Sequence, residues 1–316
     1  MTMFLKSILT VAVFSVSMLG VPEQGKAAAE VAVLLKTLAN PFWQQMKTGI
    51  EAEGKKLGVP VDVFASPSES DVAAQLTLFE DLLNKNYKAI AFAPLSPVNL
   101  VQVVGKAYKK GIYLVDLDEK IDMSSLKQAG ANVEAYVTTD NVAVGKKAAD
   151  YIIQQLGEKG GKVAIIEGRA GVASGEARKK GATDAFKAAK NIDLVTSQPA
   201  DWDRLRALDV ATNALQRTPD IAAFYACNDT MALGAVQAVQ NLGKGGKIMV
   251  VGTDGIPEAV NAVKAGRLTA TVAQDPAKVG STGLDLLVDA IKGGKQIGLD
   301  AEPKFVPIDS ILVTKQ

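Results

Sequence analysis

This sequence predicts an α/β fold of two doubly wound parallel-sheet lobes, on three observations. From residue 30 onward, short apolar runs alternate with segments of helical periodicity, and Gly, Pro and Asn breaks separate them. The apolar runs are near-continuous Val, Ile, Leu and Ala, as expected of parallel strands covered on both faces. About ten such runs occur, more than one sheet usually carries, and the cycle restarts near residue 140.

The chain opens with a segment that reads as targeting rather than fold. Lys6, the apolar run Ile8 to Leu19 and the small-residue site Ala27-Ala28-Ala29 together read as a secretory signal peptide over residues 1–29, cleaved ahead of Glu30. An uncleaved anchor is the alternative, but the run is short for a membrane span. No Cys follows it, which excludes lipid attachment there. The mature chain is therefore expected to be exported and soluble.

Val31 to Leu35 reads as the first strand. It leads into Lys36-Thr37-Leu38-Ala39-Asn40-Pro41-Phe42-Trp43, where Asn40 suits an N-cap and Pro41 the first helical position. Met46, Ile50 and Leu57 carry the helical period onward. Val61 to Ala65 is a strand, Val72 to Leu83 an amphipathic helix, Lys88 to Pro94 a strand, Val98 to Lys110 a helix and Ile112 to Asp118 a strand. A short strand, Ala135 to Thr139, precedes a helix from Val142 to Leu156.

The second cycle runs through strand Lys162 to Gly168, helix Ser174 to Lys190 and strand Leu194 to Ser197. Helix Leu205 to Gln216, strand Ala222 to Cys227 and helix Met231 to Leu242 follow. Strand Lys247 to Gly252, helix Pro257 to Lys264, strand Leu268 to Ala273 and helix Pro276 to Ile291 complete it. The tail Phe305 to Val313 reads as one extended segment. Lobe one is expected over 30–138 plus 276–306, and lobe two over 139–275 plus 307–316. The junctions near Thr139, Asp275 and Ile308 are short, which suits a hinge more than a tether.

Composition removes several functions. With no His, neither a Ser-His-Asp or Cys-His triad nor a His-based metal site can form. A single Cys, Cys227, rules out an intrachain disulfide and a CxxC site, and it reads as a small buried hydrophobe. No metal or cofactor is expected. The net charge of +1 does not favour nucleic acid or an anionic membrane as main partner. No GxGxxG or GxxxxGK[ST] follows any strand, and Gly168-Arg169-Ala170-Gly171 lacks the spacing of a phosphate loop.

Polar and aromatic residues gather at the carboxyl ends of the strands, where open α/β sheets place ligands. Lobe one offers Lys36, Asn40, Phe42, Trp43, Asp118 and Glu119, and lobe two offers Arg178, Trp202, Asn228, Asp254 and Gln274. Aromatic planes suit the C–H faces of a monosaccharide. Planar Asp, Asn, Arg and Gln suit its rim of hydroxyls, because each makes paired, directional hydrogen bonds. Each residue also has a plain structural role open to it. Phe42, Trp43 and Trp202 are candidates for the core, Arg178 for a solvated helix face, and Asp254 for a loop turn. Of Asn228 and Asp229, Asp229 is the expected N-cap of the following helix. Asp118 and Glu119 would also serve as an acid–base pair in a glycosidase or isomerase, though no nucleophile motif accompanies them.

Over essentially the whole mature chain, KTLANPFW, FASPSESD, FAPLSPVNL, LVDLDEKID, VTTDNVAVG, SQPADWDR, NDTMALGA, VVGTDGIPEA and TATVAQDP resemble the periplasmic sugar-binding proteins of the ribose-binding type. The resemblance implies the type I periplasmic binding protein fold, with three crossovers forming the hinge and one sugar in the cleft. It implies a stacking wall of Phe42 and Trp43 with Trp202 opposite. Hydroxyl contacts would come from Asn40 and Asp118, and across the cleft from Arg178, Asn228, Asp254 and Gln274. Glu119, where the ribose pattern has Arg, and Lys36 before the aromatics point from a ribose-type to an allose-type site. The implied role is delivery of sugar to the permease of an ABC importer by a monomeric, non-enzymatic protein. Some members of the fold also dock on chemoreceptors. The fold serves transcription regulators too, but this chain shows no helix-turn-helix.

Overall fold

A computed structural model describes residues 29–315; the targeting segment read over residues 1–29 lies outside them apart from Ala29. The first half contains β1 (Val31–Leu35), α1 (Pro41–Leu57), β2 (Val61–Ala65), α2 (Val72–Leu82), β3 (Ala89–Phe92), α3 (Val101–Lys109), β4 (Tyr113–Leu117), α4 (Met123–Gln128) and β5 (Ala135–Thr139). The second half contains α5 (Asn141–Leu156), β6 (Gly161–Glu167), α6 (Ala173–Ala188), β7 (Ile192–Pro199), α7 (Arg204–Arg217), β8 (Ile221–Ala226), α8 (Asp229–Asn241), β9 (Met249–Asp254), α9 (Pro257–Lys264) and β10 (Ala270–Ala273). Then come α10 (Pro276–Gly293), β11 (Lys304–Ile308) and β12 (Ile311–Thr314).

Why β1 reads as an unbroken apolar run is visible in its packing. Val31, Val33 and Leu35 join a core with Met46 and Ile50 of α1 and Leu284 of α10. Ala32 and Leu34 join a separate core with Phe79 of α2 and Val104 of α3. With helices on both faces, no position in the strand can be polar. Each fully buried Val or Leu contributes about 1.5–3 kcal/mol relative to exposure.

Two six-stranded sheets result, ordered β11-β5-β4-β3-β1-β2 and β12-β10-β9-β8-β6-β7. All neighbours in the first are parallel. In the second only β12 runs antiparallel, against β10. The chain passes between the sheets after Thr139, after Ala273 and after Ile308.

Two elements differ from the sequence expectation. The tail is not one strand: it breaks at Asp309-Ser310, so β11 completes one sheet and β12 the other. Edge pairing of this kind depends on distant backbone, not on local pattern. A short helix not anticipated, α4, lies between β4 and β5, with Asp122 accepting from Ser125 N–H at 2.7 Å as its cap. No helix among the described residues is long and apolar enough to cross a membrane.

Candidate ligand-binding cleft

A small cavity of about 30 Å3 lies between the lobes. Lobe one lines it with Lys36, Asn40, Phe42, Trp43, Glu69 and Asp118. Lobe two lines it with Ser174, Arg178, Trp202, Asn228 and Asp254.

The aromatic wall of lobe one comes from the first turn of α1. Asn40 caps that helix by accepting from Phe42 N–H at 3.0 Å, which sets where both rings emerge. The rings meet edge to face, with centroids 4.9 Å apart at 81°. Both are buried and part of the core, so the packing role and the wall role coincide. Trp43 Nε1 donates to Glu69 Oε1 at 3.0 Å, and Asn40 Nδ2 donates to the same oxygen at 3.3 Å. That carboxylate fixes the indole's tilt.

Asp118 stands just past β4 with φ of 64°, and Asp254 ends β9 with φ of 121°. Non-glycine residues avoid this half of backbone space, at a cost of order 1–3 kcal/mol each, and persist there only where neighbours enforce it. Tyr136 and Thr138 hydroxyls donate to the Asp118 carbonyl at 2.9 and 2.8 Å. The peptides after Asp254 are held by Asp229, which accepts from Gly255 N–H at 2.7 Å and Ile256 N–H at 2.9 Å. One strained acid therefore faces the cavity from each lobe.

Arg178 is not a solvated side chain. It lies buried between α5 and β8, where Nε donates to Asn141 at 2.8 Å and Nη1 to the Cys227 carbonyl at 2.8 Å. It also pairs with Asp254 at 3.3 Å. α5 and α6 approach so closely that a Cβ at Gly145 would stand 1.9 Å from the Arg178 carbonyl oxygen. Trp202, half-buried, has its ring 5.9 Å from the Arg178 guanidinium. Its indole lies against Gly168, where a Cβ would come within 2.1 Å of the ring.

Burial is the largest influence on Lys36 and pushes its pKa down. Glu119, Asp118 and Glu69 together outweigh it and hold the ammonium above its ordinary value. Burial pushes Asp254 up to about 7, with Arg178 opposing. Its two protein donors, Arg178 Nη1 and Gln274 Nε2 at 2.7 Å, converge on Oδ1 and leave Oδ2 to a ligand. Ligand hydroxyls donating there would favour the ionised form.

Two candidates do not line the cavity. Glu119 is fully buried behind it, ion-paired with Lys36 at 3.5 Å and bonded to the start of α6. Gln274 sits behind Asp254, with its Oε1 unpartnered among the described residues. The cap of α8 is also corrected. Asn228, not Asp229, accepts from Met231 N–H at 2.8 Å, because Asp229 is drawn inward to the β9–α9 turn and to the Thr271 hydroxyl at 2.7 Å. The sequence reading missed Glu69 and Ser174. Glu69 follows β2, so the strand-end rule that selected the others also selects it.

A periplasmic binding protein domain matches residues 31–296. The chain belongs to the periplasmic binding protein family. It is 69% identical over 289 residues to the D-allose-binding periplasmic protein of Escherichia coli K12, covering 92% of this chain and 93% of that one. It is 35% identical over 306 residues to the ribose import binding protein of Haemophilus influenzae, covering 96% and 98%. A solute-binding protein of Actinobacillus succinogenes with bound D-allose superposes with a TM-score of 0.82 at 34% identity, covering 91% and 98%. The two-lobed fold of this binding protein is that of its relatives, which bind solutes and do not transform them. The acid–base reading of Asp118 and Glu119 therefore lapses. Glu119 already commits both carboxylate oxygens to α6.

Proposed function

We propose that this binding protein holds one monosaccharide between its lobes and delivers it to the permease of an ABC importer in the periplasm, with D-allose the first candidate. The observation that carries the proposal is the convergence of rings and hydrogen-bonding edges from both lobes on one cavity between them. Phe42 and Trp43 offer one apolar face and Trp202 the other. Asn40, Lys36 and Asp118 address the sugar's rim from lobe one, with Glu69 holding the wall. Arg178, Asn228 and Asp254 do so from lobe two, with Gln274 bracing Asp254. Relatives whose names or bound ligands are allose and ribose support an aldose ligand.

In this reading the chain hinges at its three passages between the sheets. Lobe one is 30–138 plus 276–306, and lobe two is 139–275 plus 307–316. A cleaved leader over 1–29 delivers a monomer whose partners are the permease and, as a further reader of closure, a chemoreceptor. A ligand that touches both lobes favours the closed form, and the permease senses that form.

The test is a thermal-shift panel of allose, ribose, psicose and glucose. A true ligand at a hundredfold over its Kd stabilises by about 2.7 kcal/mol, and the sugar is recovered unchanged. A panel with no shift from any of them overturns the proposal.

A further inference from the structure

Glu119 is a fully buried acid beside the cleft that does not line the cavity. Its carboxylate crosses from lobe one to lobe two. One oxygen accepts from Ala173 N–H, and the other from Ser174 N–H at 3.3 Å and the Ser174 hydroxyl at 3.1 Å. Ala173 and Ser174 are the first two residues of α6.

That helix has no cap of its own. Its N-cap position is Val172, whose side chain cannot accept a hydrogen bond. α3 and α9 also begin without a side-chain cap, whereas α1, α2, α5, α7, α8 and α10 each begin on an Asn or Asp that accepts from its own first turn; α6 differs in that an acid of the other lobe supplies its acceptor. First-turn amides are unpaired donors at the positive end of the helix dipole, and a carboxylate is their best partner. Lobe two thus presents a helix start that lacks its acceptor, and lobe one carries the acceptor. Lys36 stands 3.5 Å from Glu119 and 3.4 Å from Asp118, which joins this contact to the cavity wall.

We propose that Glu119 caps α6 in trans and is the latch that sets the closed-to-open ratio, without touching the sugar. The inference rests on reading the lobes as hinged halves of a binding protein and deepens that reading. These bonds exist only while the lobes are together. Opening returns the α6 amides and the carboxylate to water.

The test uses two variants on opposite sides of the contact. Glu119→Gln removes the charge from lobe one. Ala173→Pro removes the N–H from lobe two and leaves the helix intact, because proline suits the first helical position and Val172, at φ −86° and ψ 118°, has the extended backbone that precedes proline. Circular dichroism and the melting curve check folding. Spin labels on α1 and α8 report the interlobe distance in sugar-free protein, and buried Cys227 does not compete for them.

Each variant is expected to lower the closed-to-open ratio on the order of tenfold, as for loss of a charge-assisted hydrogen bond. The double variant should fall no further than either single one. The Kd for D-allose should rise by the factor by which the measured closed fraction falls, since binding competence scales with the closed population. Identical distance distributions in wild type and both variants overturn the latch, as does a double variant that costs the sum of its parts. A sugar panel without a ligand, alongside variants that open the cleft, overturns the sugar reading alone. A bound sugar alongside variants that close like wild type overturns the latch alone.

Discussion

Gly168→Ala should weaken sugar binding although residue 168 never touches the sugar. A Cβ there would stand 2.1 Å from Cη2 and 2.2 Å from Cζ2 of Trp202. Carbon atoms in contact settle at about 3.5–4.0 Å, so the indole must retreat by roughly 1.5 Å. Gly175 backs the same ring, with a Cβ position 2.9 Å from it, and the Trp202 backbone is already held at φ 67°. The ring therefore has little freedom except toward the cavity or out of it. In either direction the stacking face is lost. Burying such a face is worth about 1.5–3 kcal/mol, or roughly ten- to a hundredfold in Kd. Calorimetric titration with D-allose on Gly168→Ala, Trp202→Ala and the double variant separates the causes. Without the indole there is nothing to displace, so Gly168→Ala should cost almost no further affinity in the Trp202→Ala background. Wild-type affinity in Gly168→Ala would refute the reasoning, and so would an equal loss in both backgrounds.

Asp254, pushed up to about 7 by burial, retains its proton in the folded protein where the unfolded chain has lost it. Its effect on sugar-free stability is therefore a loss as pH rises from the ordinary carboxylate range to about 7. Sugar hydroxyls that donate to the ionised form pull that pKa down. Binding near pH 6 should then release a proton, and affinity should fall by up to about tenfold per pH unit below 7; calorimetry in buffers of different ionisation enthalpy would detect it. Asp229→Ala should destabilise by about 3 kcal/mol, because Gly255 N–H, Ile256 N–H and the Thr271 hydroxyl lose one shared acceptor; chemical denaturation measures this. Burial pushes the Cys227 thiol up to about 12, so it should ignore a thiol reagent in native protein and react only on unfolding.

Much of the cleft was legible because its parts obey local rules. Asn40 and Pro41 announce the start of α1, and the strand-end rule singles out Lys36, Asp118 and Asp254 without coordinates, whereas spacing alone gave Arg178 a solvated helix face. The same rule applied to the loop after β2 also reaches Glu69. Between Asn228 and Asp229 local chemistry is a near tie, since either side chain can cap a helix. Thr271 and the Gly255-Ile256 peptides, far along the chain, break that tie.

The sequence by itself determined the alternation of strands and helices, the two cycles and the residue types offered at strand ends. Burial on both faces and capping both write themselves into a few neighbouring residues. Only the tertiary structure decided that β11 and β12 part to different sheets, that Arg178 is buried on Asp254, and that Glu119 serves a helix of the opposite lobe. Each of these depends on atoms dozens of residues apart: the first two are brought together as each lobe packs its own sheet, the third only where the two lobes meet.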